Sequence, residues 1–492
     1  MLTTLVAVPL LGAIVLAVTP GWSDRLVKRA AVAVAAVPVV LVAVVVAGFE
    51  LDGPSFQFVV DVDWIPTLGV GWRVGVDGIS LALVAVTAVL FLAVIAYPED
   101  TRGMSRQYHG WLLFLEAVSL GLFVTLDLVV FYVFFDLSLV GMYFLVSRWG
   151  HQDAERAALK FFLYTLLGSL SLLLGILALG LAMDPITFDM RAIIEAQPLA
   201  GAAAAGLVLL AVLVGLGIKT PVVPFHTWLP AAHVEAPATG SAILAGVLLK
   251  MGTYGLIRIP LEMMSETFQR YAVWVAVVAV VSILYGALVA FGQDDLKRRI
   301  AYTSVNHMGY SVLGIAAAGG LLAGDEAARA LALTGATVEM VAHGLITGSL
   351  FLLTGSVWRR TQEYDLDAYG GLSSTVPAMT TAMVLASFAS LGLPGLIGFV
   401  AEFQVFVGTF AVYPVLAAIG LLGILVTAAL FLQLLQRMFF GERTTRFEDL
   451  TDLDGTERTV LVGLLGLVVV LGVAPRPMLD LVHQATTLVT GG

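Results

Sequence analysis

Apolar runs of membrane-crossing length follow one another along this chain, separated by short polar loops. A helical span needs about 17–25 consecutive apolar residues. Such runs occur at 2–19, 30–48, 76–97, 111–126, 128–147, 159–183, 201–220, 238–257, 271–291, 300–317, 330–355, 376–410, 414–436 and 459–474. The seventh continues as a short helix to about 233, and the twelfth is broken. The pattern predicts an all-α polytopic membrane protein of about 14 transmembrane helices, with a tail, 477–490, lying on the surface.

Lysine and arginine orient the spans, because both collect in cytoplasmic loops. Seventeen, running from Arg25 to Arg458 and including Arg443, fall in one set of alternate loops. Only Arg73, Arg191, Arg258, Arg270, Arg329 and Arg476 fall in the opposite set. The richer set is therefore cytoplasmic and both termini face outward. The N-terminal stretch MLTTLVAVPLLGAIVLAV lacks a basic lead-in and reads as a retained helix rather than a cleaved signal.

Composition sharpens this picture. Hydrophobic residues make up 59% and charged residues 12% of the chain, against about 25% charged in a soluble domain. Cysteine is absent, which removes disulfides, cysteine-held iron–sulfur clusters and thiolate nucleophiles from this chain. The seven histidines make no metal-binding spacing. A basic complement dominated by arginine, with abundant Ala, Val and Gly, suggests a GC-rich bacterial gene and hence a bacterial cell membrane.

Two basic residues remain, Lys219 and Lys250, and both fall within spans. A charge at the bilayer centre costs roughly 2.5–3.5 kcal/mol on insertion scales. Lys219 lies in GLGIKTPVVPFHTWLP, where Pro221 and Pro224 break the helix. Broken backbone at membrane depth persists only inside protein or beside a water-filled cavity. The alternative is a lysine snorkelling from a helix end. A nucleotide P-loop is excluded, since Ile218 stands where that motif needs glycine.

The acids are equally selective. Glu116, Asp136, Glu339 and Glu402 lie within spans, as do His307 and His343. Glu339 precedes His343 by one helical turn, so one face presents both. Asp77 and Asp127 sit at span ends and read as structural caps. A second break, at Gly392, Pro394, Gly395 and Gly398, precedes Glu402. Paired breaks in corresponding halves point to an inverted repeat. Spans 4–8 and 9–13 form two five-helix units with discontinuous helices 7 and 12, one carrying Lys219 and the other Glu402. The expected division is 1–110, an N-terminal three-helix segment; 111–258 and 271–436, the two repeats; and 437–492, a cytoplasmic loop, last helix and tail.

These residues carry a resemblance. KTPVVPFHTWLPAAHVEAPATGSAILAGVLLKMGTYGLIR, DDLKRRIAYTSVNHMGY, MVAHGL and GLPGLIGFVAEF together resemble the antiporter-like membrane subunits of respiratory complex I, the NADH-quinone oxidoreductase. The likeness is greatest to the M subunit, because Glu402 stands where L and N subunits and multisubunit antiporters have lysine. Two departures stand out. Asp136 and Gly141 replace a usual Glu and Pro, leaving a carboxylate one methylene shorter, and Glu339 stands where the family usually has Gln.

The resemblance implies a proton-translocating subunit of an oxidoreductase, with no redox chemistry on this chain. NADH, FMN, iron–sulfur clusters and quinone are expected on partner subunits, and no cofactor or metal here. Implied neighbours are L-like and N-like membrane subunits and the lipid bilayer, with no nucleic acid. Asp136 and Lys219 would stabilise each other's charges when close, and separating them would release the lysine's proton. That proton would pass to Lys250, then by His307 and His343 to Glu402 and outward. Glu116 either assists uptake or hydrogen-bonds within the bundle. His226 and His233 either feed the site or cap carbonyls. The alternatives are a multisubunit cation/proton antiporter, a membrane-bound hydrogenase subunit, and a scaffold of static ion pairs.

Overall fold

Each apolar run folds as a helix whose ends are set by polar residues that hydropathy alone does not weigh. The structure, a computed structural model, describes residues 1–320, 326–442, 444–447 and 449–491. Arg443, counted above for the cytoplasmic side, lies outside the described residues. The first helices are α1 (Leu2–Val18), α2 (Asp24–Ala47) and α3 (Gly78–Ala96). Next come α4 (Ser105–Val124), α5 (Leu128–Trp149), α6 (Ala154–Leu181), the short α7 (Met190–Ala196), α8 (Ala205–Lys219) and α9 (Trp228–Glu235). A single rod, Ala238–Met263, contains α10 (Ala238–Ile243) and α11 (Leu249–Leu256), with π turns at Leu244–Leu248 and Ile257–Met263.

The second half holds α12 (Ser265–Phe291), α13 (Leu296–Ala318), α14 (Glu326–Thr361), α15 (Pro377–Ser390), α16 (Ile397–Val412) and α17 (Pro414–Leu435). It closes with α18 (Gly455–Val473) and α19 (Arg476–Thr490). Both expected interruptions are present, between α8 and α9 and between α15 and α16. Acidic caps fix several starts. Asp77 forms a capping box with Ser80, Asp127 accepts from the amides of Val129 and Val130, and Asp295 accepts from that of Arg298.

The all-α expectation needs one correction. Residues Gln57–Ile65 (β1) and Val70–Val76 (β2) form an antiparallel hairpin pairing Asp61 with Arg73 and Val62 with Trp72. Their two-residue alternation is averaged away in any window long enough to find a span. Arg73 locks the hairpin to the bundle, bonding Asp127 at 2.9 Å, Asp61 at 3.1 Å and Asp63 at 3.2 Å. Arg191 adds Asp61 at 2.5 Å and Asp189 at 2.6 Å.

Packing separates lipid-facing from central helices. On α6, Leu159, Leu163, Leu167, Leu170, Leu174 and Leu181 form an exposed stripe at helical spacing. The rod Ala238–Met263 and α14 are instead buried on all faces. They cross where Gly246 meets Gly344, and a Cβ on Gly344 would lie 2.9 Å from the Gly246 carbonyl oxygen. Small residues allow such close backbone approach between membrane helices. The tail helix α19 lies on α3 and α14. A Cβ on Gly78 would meet the Leu481 carbonyl oxygen at 1.8 Å, so only glycine admits it there.

Among the described residues, nine helices are long and apolar enough to cross a membrane. Leu2–Val18, Ala205–Lys219, Pro377–Ser390 and Ile397–Val412 are shorter apolar helices.

Asp127 both caps α5 and neutralises Arg73, and removing one member of a buried pair costs about 3–5 kcal/mol. Asp127→Ala is expected to lower the thermal unfolding midpoint of the purified protein. Asp63→Ala, whose carboxylate side chain is 66% exposed, should leave that midpoint near wild type.

Candidate functional site

The first cluster is built at the end of α8. Lys219 is its last residue, 1% exposed, where the negative end of the helix dipole favours a cation. The break that follows caps its own carbonyls. Thr220 N–H donates to Leu216 O, Val222 N–H to Gly217 O, and the Trp228 indole N–H to Ile218 O at 3.0 Å. Lys219 Nζ donates to Ser138 Oγ at 2.8 Å and lies 4.9 Å from the centre of the Phe135 ring.

Asp136, between those two residues on α5, is the charge that acts on Lys219. The two make no ion pair at 4.0 Å or less among the described residues. Its Oδ1 is buried without a hydrogen-bond partner among the described residues. The shorter aspartate thus leaves Ser138, two residues on, as the direct partner of the lysine.

A second cluster lies at the crossing of the two central helices. Lys250 Nζ donates to the Ala245 carbonyl in the π turn and to His343 Nδ1, both at 2.5 Å. π turns recur at functional sites, where their altered register changes carbonyl access. The His343 ring centre is 5.7 Å from that of His307. His307 Nδ1 lies 3.1 Å from Glu339 Oε1, and its Nε2 lies 3.0 Å from Ser390 Oγ. The contact order is therefore Lys250, His343, His307, the reverse of the expected order of the two histidines. His307, Glu339, His343, Ser390 and Glu402 all line one narrow crevice. Glu402 rests its Oε2 against Gly392, where a Cβ would come within 2.4 Å.

Between the clusters, α8 and α11 touch. A Cβ on Gly252 would meet Thr220 Oγ1 at 2.3 Å and Thr220 N at 2.8 Å. This contact joins the neighbour of Lys219 to the helix turn bearing Lys250.

Three expected participants stand apart. Glu116 is fully buried, and neither of its carboxylate oxygens has a hydrogen-bond partner among the described residues. Its hydrogen-bonding role within the bundle is thus not seen. His226 packs edge-on against Tyr285, with centres 5.0 Å apart, and no hydrogen bond joins it to Lys219 or Asp136 among the described residues. His233 stacks on Phe351 at 4.5 Å and caps no carbonyl, since both ring nitrogens are without hydrogen-bond partners among the described residues.

Residues 125–431 match the family model described as NADH:quinone oxidoreductase/Mrp antiporter, transmembrane. The chain belongs to this family. Among similar members, NADH-quinone oxidoreductase subunit M of Rhodobacter capsulatus is 36% identical over 496 residues, covering 98% of this chain and 94% of that one. F(420)H(2) dehydrogenase subunit M of Methanosarcina mazei is 39% identical over 442 residues, covering 88% and 87%. A chain of respiratory complex I from Thermus thermophilus with bound NADH superposes with a TM-score of 0.87 at 28% identity, covering 100% of both chains. Family membership and the apolar helices together make this a multi-pass membrane protein.

Within this antiporter-type family member, the residues that sequence reasoning missed are hydroxyls. Ser138, Thr220 and Ser390 each touch an ionisable group or its neighbour, yet a serine in an apolar helix carries no distinguishing pattern. Only the position of Ser390 before the second break could have marked it.

The Thr220–Gly252 contact is tight against backbone, so an added methyl must push α8 and α11 apart. Gly252→Ala is expected to assemble and yet to lower proton translocation in membrane vesicles by about tenfold, within the contribution of a positioned proton carrier. Unaltered translocation would show that the contact does not couple the clusters.

Proposed function

We propose that this chain is the M-type proton-translocating membrane subunit of an NADH:quinone oxidoreductase, and that it moves protons when a partner reduces quinone. The observation that carries this reading is the buried line Lys250–His343–His307–Glu339 at the helix crossing, with Lys219 and Glu402 at the two breaks. Buried ionisable residues on fully enclosed membrane helices are functional by default.

The fuller topology belongs to this proposal. It has fourteen crossings and two inverted five-helix repeats, at 111–258 and 271–436. An N-terminal segment 1–110 and a C-terminal part 437–492 flank them. Both termini face outward from a bacterial cell membrane. The excess of Lys and Arg in one set of loops supports that orientation. NADH, FMN, iron–sulfur clusters and quinone lie on partner subunits, and L-like and N-like membrane subunits flank this one. The similarity to a subunit named for an F(420)H(2) dehydrogenase fits this division of labour, in which the electron donor is a property of the partners.

The chemistry follows from who holds each charge. With Asp136 near, Lys219 keeps its proton. Drawing α5 away withdraws Asp136, Ser138 and the Phe135 ring together, which leaves the ammonium without a partner on that helix, and its proton moves toward Lys250. His343 takes the proton from Lys250 and passes it to His307, and Glu402 receives it on the outward side. Glu339 fixes the orientation of His307. Glu116 and His226 are accessory to uptake.

Lys219→Ala is expected to abolish quinone-driven proton pumping in vesicles while leaving the amount of assembled complex unchanged. Asp136→Asn should do the same. Asp136→Glu, which adds the missing methylene, should retain pumping. Glu402→Gln should lower pumping by about tenfold or more. Normal pumping in Lys219→Ala at wild-type protein levels would refute the switch, and normal pumping in Glu402→Gln would remove that residue from the path.

A further inference from the structure

No hydrogen bond joins His307 to Glu402 among the described residues. Both nitrogens of His307 are engaged, one by Glu339 on α14 and one by Ser390 on α15. His343 spends Nδ1 on Lys250, and its Nε2 has no hydrogen-bond partner. His307 thus has a carboxylate on one side and a serine hydroxyl on the other.

That hydroxyl is spent on the histidine and not on its own helix. Buried Ser349, Thr409 and Ser138 each return their O–H to a carbonyl of their own helix, as helical serines and threonines commonly do. Ser390 makes no such bond, and its partner is His307 Nε2. It lines the same crevice as Glu402 and is 2% exposed. A hydroxyl can accept one hydrogen bond and donate another at the same time. Ser390 therefore has the chemistry to take a proton from His307 while giving one up.

Its place in the chain adds a mechanical element. Ser390 is the last residue of α15, followed by the break with Gly392 at φ +75° and Gly395 at φ +94°. Only glycine adopts such angles freely. Glu402 lies beyond that break on α16, seated against Gly392. His307 and Glu339 lie on α13 and α14, which have no such interruption near either residue. A change of angle between α15 and α16 therefore alters the distance from Ser390 to Glu402 without disturbing the His307–Glu339 bond. Ser390 and Thr347 are the hydroxyls that line the crevice with Glu402, and Ser390 is the one that bonds His307.

We propose that Ser390 is the positioning residue through which His307 and Glu402 exchange a proton, gated by the angle of the break between α15 and α16. The inference rests on the proton path set out above. His307, protonated from His343, gives the Nε2 proton to Ser390 Oγ as the Ser390 O–H proton passes to the Glu402 carboxylate. The hydroxyl is neutral before and after, Glu402 becomes the neutral acid, and rotation of the O–H bond resets the serine.

The test compares Ser390→Ala, Ser390→Thr and Glu402→Gln in membrane vesicles carrying the whole complex. Pumping per quinone reduced and its pH profile are measured at matched amounts of assembled protein. Ser390→Ala is expected to lower pumping about tenfold and to displace the pH profile, whereas Ser390→Thr, which keeps the hydroxyl, should stay within about twofold of wild type. Equal loss in the Ala and Thr variants, or wild-type pumping in Ser390→Ala while Glu402→Gln is impaired, would overturn the role of the hydroxyl and leave the path standing. Wild-type pumping in Glu402→Gln would instead bring down the path, and the role of Ser390 with it.

Discussion

The structure depends on one contact, the crossing of two helices that have no lipid-facing side. At Gly246 and Gly344 the backbones approach without side chains between them. That closeness lets the long side chain of Lys250 reach His343. A lysine in such a place must find acceptors or lose its charge, because desolvating an ammonium costs several kcal/mol. Two acceptors are supplied, the imidazole and the π-turn carbonyl of Ala245. Without the glycine crossing the lysine would keep only the Ala245 carbonyl of its own rod, and the contact that begins the polar line toward α13 would be lost.

The two interruptions carry opposite chemistry. At the first, the chain ends a helix on Lys219 and satisfies the freed carbonyls with Trp228 and the break itself. At the second, glycines of positive φ turn the chain and make the seat for Glu402. Each break thus holds an ionisable group against backbone that only an enclosed site can shelter. The hydroxyls of Ser138 and Ser390 contact the lysine and the histidine nearest these breaks.

The hydropathy pattern located the helices well because burial in lipid imposes a length that composition must meet. It located their ends less well. α14 runs from Glu326 to Thr361 rather than over 330–355, because its polar ends still satisfy backbone bonds beyond the apolar stretch. The hairpin Gln57–Val76 escaped because its alternation is short and lies outside any span. Among the candidate residues, Lys219, Lys250, His307, His343, Glu339 and Glu402 announced themselves by being ionisable at depth, and the structure brings the last five into two neighbouring contacts and a shared crevice. What sequence left hidden was sequence-distant geometry. The order of the histidines, the separation of Asp136 from Lys219 and the partner of Ser390 each depend on how helices far apart in the chain are rotated against one another.

The line from Lys250 through His343 and His307 has a further consequence. All three residues lie near the middle of their helices, so the row runs across the helix axes rather than along them. Moving a unit charge through the whole thickness of a membrane requires about 2.3 kcal/mol per 100 mV of potential. A sideways step at constant depth requires almost none of this. On the proposed proton path the central row is therefore nearly blind to voltage, and the electrical work falls on the steps that join it to the two membrane faces.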